Sequence, residues 1–263
     1  MKKKSLIVLI MALVALLIIP MTASADTING WVQNPDGTWS YYHGGAMFTD
    51  TLFFYDRDDD GNSDDLYYVD ENGIMLTSSW YQESDGDWYY FGADGAAYRD
   101  GVFEVDGSYY YFAEAGMIFI DTQFSFNGGY IDGTDDWYVG DVYRAKENGP
   151  LYRNEWYETE WGTWYYYGAD CKAARGIVNG NGTTYLFDDW GRWVEQGTAT
   201  LISKNGYEYY IADSAGGIYQ AYNNNWVQTA DGWYFVQNNY FCNDGIYTIN
   251  GVEYGFDYDG TMF

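Results

Sequence analysis

The stretch DGDWYYFGADGAAYRDG, residues 85–101, sets Trp88, Tyr89 and Tyr90 side by side between Gly86, Gly92, Gly95 and Gly101. Consecutive large aromatics favour a pleated strand, and the flanking glycines and aspartates favour turns. The pattern recurs along the chain. Aligned on the place of Trp88, the anchors are Trp39, Leu66, Trp88, Tyr109, Trp137, Trp164, Thr184, Glu208, Trp233 and Glu253, in steps of roughly 20–28 residues. About ten units therefore tile the sequence from Ile28 to its end. A period of this size marks a solenoid or an array.

Each unit reads as a β-hairpin. Turn chemistry stands before the anchors, in NPDG at 34–37, SDGD at 84–87, VDGS at 105–108 and TADG at 229–232. A lone hairpin is marginal in water, so each must bury its aromatic face against its neighbours. The expectation is an all-β chain, a β-solenoid of about ten stacked hairpins. Most of the tyrosines are then core.

The first residues do not share the pattern. Lys2, Lys3 and Lys4 precede an apolar run from Leu6 to Ile19, and Ala23-Ser24-Ala25 follows. That order reads as a secretory signal peptide over 1–25, leaving a repeat array over 26–263 with no later segment apolar enough to span a bilayer. The array keeps 9 of the 12 Lys and Arg and all 39 Asp and Glu, a formal charge of −30. Such a chain repels nucleic acid and anionic lipid. All 57 aromatic residues also lie beyond the signal, ample apolar surface for folding. Cys171 and Cys242 are too few to form a disulfide framework.

Two finer regularities stand out. Eight of the twelve tryptophans form hairpin-spaced pairs, Trp31/Trp39, Trp80/Trp88, Trp156/Trp164 and Trp226/Trp233. Each pair brackets a turn, which places the two indoles on facing strands of one hairpin. Met47, Met75, Met117 and Met262 each follow a unit's closing glycine within two residues, and Trp193 fills the same slot after Gly191.

GWVQNPDGTWSYYHGGAMFTD, residues 30–50, resembles the cell-wall-binding repeat of Gram-positive surface proteins, known from choline-binding modules and, in a related form, from glucan-binding regions. Segments 64–80 and 86–103 match the same pattern. The resemblance implies ligand grooves between successive hairpins, walled by the tryptophan of the first strand, the first aromatic of the second and the methionine slot. The candidates are Trp31, Trp39, Met47, Met75, Trp80, Trp88, Trp156, Trp164, Trp226 and Trp233. A quaternary ammonium is attracted to aromatic faces by about 0.5–2 kcal/mol, and flat sugar faces pack on the same rings. Choline and glycan both remain open on this reading. The chain departs from the family in that glycine precedes the first tryptophan only at Trp31.

A separate motif is DRDDDGNSDDL, residues 56–66. Asp56, Asp58, Asp60 and Asp64 follow the front of a calcium loop, with Gly61 for the sharp turn. Tyr67 stands where an EF-hand carries its bidentate glutamate, so the alternatives are a short structural Ca2+ loop or a solvated acidic turn. His43 is the only histidine, which removes zinc clusters and histidine triads from consideration. Acidic residues are so numerous that some pair always falls at glycosidase spacing, and the repeats leave no room for a catalytic domain. The sequence reads as a secreted, cell-surface, non-catalytic protein binding cell-wall carbohydrate or choline-decorated polymer. The alternative is a structural or adhesive repeat protein with a protein partner and no small-molecule ligand.

Overall fold

The computed structural model describes residues 27–56, 65–131 and 135–263. The signal segment 1–25 and Asp58, Asp60 and Asp64 lie outside them. Among the described residues every regular element is a strand. They form eleven antiparallel sheets of two or three strands, ten repeat hairpins and one small inserted ribbon. Two compact units divide the chain, residues 1–77 and 78–263. Among the described residues no helix is long and apolar enough to cross a membrane.

Local chemistry explains the hairpins. Asp106 and Gly107 (φ +50° and +80°) turn between Val105 and Ser108, and Asn250 with Gly251 does the same later. Positive φ at both turn positions matches the twist of the flanking strands. After the second strand the chain closes in a tight loop of constant form. In the loop at Asp70 the Asp70 N–H donates to Ile74 O while Gly73 N–H donates to Asp70 O, and the same bonds recur at Gly92, Ala113, Lys146, Gly168, Asp188, Asp213 and Asp257.

That loop sews hairpins together. The residue two places past its glycine, the slot, donates its N–H to the anchor carbonyl of the hairpin before: Met75 to Trp39, Ile118 to Trp88, Leu151 to Tyr109, Ala173 to Val142, Trp193 to Trp164 and Met262 to Trp233, at 2.7–3.0 Å. The glycine is required by close approach as well as by φ. A Cβ on Gly191 (φ +84°) would stand 2.6 Å from Ala173 Cβ, the slot side chain of the preceding hairpin. Cys171 takes this position in its own loop at φ +65° and lies fully buried beside Leu151, Tyr111 and Tyr143. Burial pushes its thiol up to about 11, so it is an inert core group. Both cysteines are free.

Two anchors differ from the sequence reading. The fifth hairpin pairs Gln123–Phe126 with Asp141–Arg144, which makes Val142 its anchor. Trp137 belongs to a small inserted hairpin, Gly129–Tyr130 against Trp137–Tyr138. Its WYV run imitates the repeat because any exposed two-stranded ribbon favours the same residues. In the eighth hairpin the closing loop begins at Asp213 and places the anchor at Tyr209 rather than Glu208, a shift of one residue that exchanges the inward and outward faces.

Candidate functional site

Three of the tryptophan pairs close edge-to-face. The centroids of Trp80 and Trp88, Trp156 and Trp164, and Trp226 and Trp233 stand 6.2–6.3 Å apart with planes at 74–83°. Each first tryptophan lies two register positions from its mate across the hairpin, and Trp31 and Trp39 hold the same register. The strand periodicity of two puts both indoles on one face.

A third ring arrives from the next hairpin. Trp31 meets Tyr67 at 4.9 Å, Trp80 meets Tyr110 at 4.8 Å, Trp156 meets Tyr185 at 5.1 Å and Trp226 meets Tyr254 at 5.0 Å, with interplanar angles of 64–66° in all four. Each tyrosine directly follows the anchor of its own hairpin. Two residues on, Val69, Phe112, Phe187 and Phe256 are fully buried and form the floor. Phe112 and Phe256 stack beneath Trp80 and Trp226 at 20°. The indoles above remain partly open: Trp156 is 37% exposed and Trp233 39%.

The slot residue completes each set beside the second tryptophan's backbone. It is Met75, Ile118, Trp193 and Met262 in the four sets. Met117 stands one place before the slot, and Ile118 occupies it. Trp193 adds a further ring, 6.2 Å from Trp156 and 6.1 Å from Tyr185. Met47 takes another place: it pairs with Tyr42 and lies against Gly73, where a Cβ would come within 2.7 Å of its methyl group. Sequence reasoning thus placed the tryptophan pairs on facing strands and Trp193 and Met262 in the slot, and missed that four tyrosines and Ile118 join these aromatic sets. The signal was present, since each tyrosine occupies the position after an anchor.

The middle of the larger unit is built differently. Arg153 lies over the Tyr109 ring at 4.4 Å, Arg144 over Tyr157 at 4.1 Å and Lys146 over Tyr152 at 4.9 Å. Here the chain's own cations take the aromatic faces. Lys146 is also paired with Glu155 at 2.5 Å. Burial, reinforced by Asp100 and by Asp141 respectively, pushes the Tyr111 and Tyr143 hydroxyls up to about 12. Among the described residues no cluster of His, Cys, Asp and Glu is arranged to hold a metal ion. Of the proposed calcium ligands only Asp56 is described.

No family model matches the chain. Its sequence is 27% identical over 244 residues to glucosyltransferase-S of Streptococcus mutans, covering 91% of this chain and 14% of that protein. Among solved structures, CbpJ from Streptococcus pneumoniae aligns at 17% identity over 90% of this chain and 88% of its own, with a TM-score of 0.48. Choline binding protein F from Streptococcus pneumoniae, solved in the presence of a peptidoglycan analogue, aligns at 19% identity over 89% and 86%, with a TM-score of 0.43. The chain resembles the choline- and glucan-binding repeat family. The resemblance spans most of this chain but only about one-seventh of the glucosyltransferase it matches.

Proposed function

We propose that the chain is a non-catalytic binding array that attaches to cell-wall or surface carbohydrate, choline-decorated polymer included, through the four aromatic grooves. In this reading residues 1–25 direct export, residues 26–263 form a β-solenoid, and the protein acts at a cell surface. The names of its relatives support the ligand class, as does the strong negative charge, which disfavours nucleic acid.

The observation that carries the proposal is the fourfold recurrence of one geometry. A tryptophan pair from one hairpin and a tyrosine from the next stand at near-constant distances and angles, over a sealed apolar floor. Core packing alone does not require partly open indoles above a filled core. Rings at these angles leave their faces available to a methylated ammonium or to the C–H face of a sugar. Each groove alone is weak, and four on one chain gain by multivalency.

The test is tryptophan fluorescence of residues 26–263, titrated with choline, gluco-oligosaccharides and wall fragments. A saturable change is expected that disappears in the quadruple variant Trp39→Ala, Trp88→Ala, Trp164→Ala, Trp233→Ala while its urea transition stays cooperative. An unchanged spectrum with every ligand would leave the rings as packing and favour the protein-partner reading.

A further inference from the structure

The inserted hairpin, which interrupts the repeat between Phe126 and Asp141, builds a second concave surface away from the four grooves. Its Trp137 and the loop residue Trp190 border one cleft of about 340 Å³, with Thr198, Thr200, Asp188 and Arg192 also lining it. The two indoles are 51% and 49% exposed. Thr198 and Thr200 alternate along the strand Gly197–Ser203, so both hydroxyls share the face that lines the cleft.

The cleft is held rigidly. At one end of the insertion the Asp136 carboxylate accepts hydrogen bonds from Tyr207 and from Tyr240, the latter at 2.5 Å. At the other, Arg175 donates to Val139 O at 2.8 Å and to Ile202 O at 3.2 Å while paired with Asp189, whose carboxylate also accepts the Ile202 N–H. Where the insertion returns to the repeat, a Cβ on Gly140 would fall 1.7 Å from Phe126 O, so no side chain fits there. Three side-chain hydrogen bonds and one obligatory glycine thus fix an insertion whose tryptophan stays half in water, and Asp189 and Ile202 hold Arg175 in place for its part. An anchored ribbon that served packing alone would bury that ring.

We infer that this cleft is a binding site for a short segment of a neutral glycan chain. Two indole faces offer flat apolar platforms for pyranose C–H faces. Hydroxyls, a carboxylate and a guanidinium offer both donors and acceptors for sugar hydroxyls. The charges are already balanced, Asp188 by Arg192 at 2.6 Å and Asp189 by Arg175, so the cleft favours a neutral ligand over an ion. An open cleft suits the middle of a polymer rather than an enclosed small molecule. The site shares the carbohydrate reading with the grooves and uses none of their residues.

The experiment is native electrophoresis of the chain 26–263 through gels cast with dextran or with hydroxyethyl cellulose as the neutral glycan. Three proteins are compared: the wild type, the cleft variant Trp137→Ala/Trp190→Ala, and the groove variant Trp39→Ala/Trp88→Ala/Trp164→Ala/Trp233→Ala. The wild type should be retarded by at least one glycan, and the cleft variant should bind about tenfold more weakly, with a cooperative urea transition like that of the wild type. Thr200→Val, which keeps shape and removes the hydroxyl, should weaken retention to a smaller degree. Equal retention of wild type and cleft variant overturns the inference, as does free migration of the wild type in both gels. Retention lost in the cleft variant but kept in the groove variant supports the cleft and removes the glycan role of the grooves. The opposite pattern removes the cleft and leaves the grooves standing.

Discussion

The hairpin step at Trp164 and the step at Tyr109 are assembled by the same backbone bond, Trp193 N–H to Trp164 O in one and Leu151 N–H to Tyr109 O in the other. Their ring faces meet different fates. Two residues past the slot stands Arg153 at the Tyr109 step, and its guanidinium covers the ring. At the Trp164 step that position is Glu195, and at the Trp88 and Trp39 steps it is Ile120 and Thr77. None of these can lay a cation on the aromatic faces. At the Tyr109 step this position closes the ring with the chain's own cation, and at the other three it does not. The same backbone bond accommodates both.

The largest effect that sets the two steps apart is expected from a buried apolar side chain of each, the floor residue in one and the slot residue in the other. Phe187, fully buried beneath Trp156, should cost about 3–5 kcal/mol on substitution by alanine, and Leu151 at the Tyr109 step about 2–5 kcal/mol. Urea denaturation measures both. Only Phe187→Ala should also diminish the ligand-dependent fluorescence, and an equal loss in Leu151→Ala would break the comparison. A second effect concerns pH. Tyr111 and Tyr143, packed together beneath the Tyr109 step, titrate near 12 when folded and near 10 when unfolded. A raised folded pKa keeps its stabilisation fully below the unfolded value and loses it as pH climbs through the folded one. Urea midpoints should therefore be level up to about pH 10 and fall between about 10 and 12. Tyr111→Phe/Tyr143→Phe should flatten that fall, and an unaltered profile in the variant would contradict the assignment. The smallest effect is expected from Arg153→Ala, about 0.5–1 kcal/mol. Tetramethylammonium chloride should recover part of that loss in the variant and none in the wild type, relative to sodium chloride at equal ionic strength. No difference between the salts would mean that the Tyr109 face is not a cation seat.

Much of the molecule was legible because its determinants are local. Aromatic triplets with aspartate–glycine and asparagine–glycine turns specify hairpins, whatever lies beside them, and a repeat hairpin forms at every expected anchor except Trp137, where it is built from Gln123–Phe126 and Asp141–Arg144 instead. The tryptophan pairs were legible for the same reason, since a short turn fixes cross-strand register. Reading by pattern failed where local chemistry is shared by two structures. WYV at 137–139 looks like a repeat anchor, yet an insertion satisfies the same propensities, and Val142 carries the anchor bond. At 208–209 adjacent residues both fit the aromatic pattern, and only the closing loop at Asp213 decides between them.

The sequence by itself determined the kind of unit, its number and the placement of indoles on facing strands, because turn geometry and strand periodicity act within about two dozen residues. Tertiary structure alone decided which tyrosine meets each first tryptophan, that Ile118 rather than Met117 enters a slot, that Arg153 covers a ring, and that Trp137 and Trp190 share a cleft. Those outcomes depend on how one hairpin registers on the next. That register is set by single backbone hydrogen bonds between distant residues and by glycines such as Gly191 that admit a neighbour's side chain; the glycines recur in the sequence, but which neighbour each one meets does not show there.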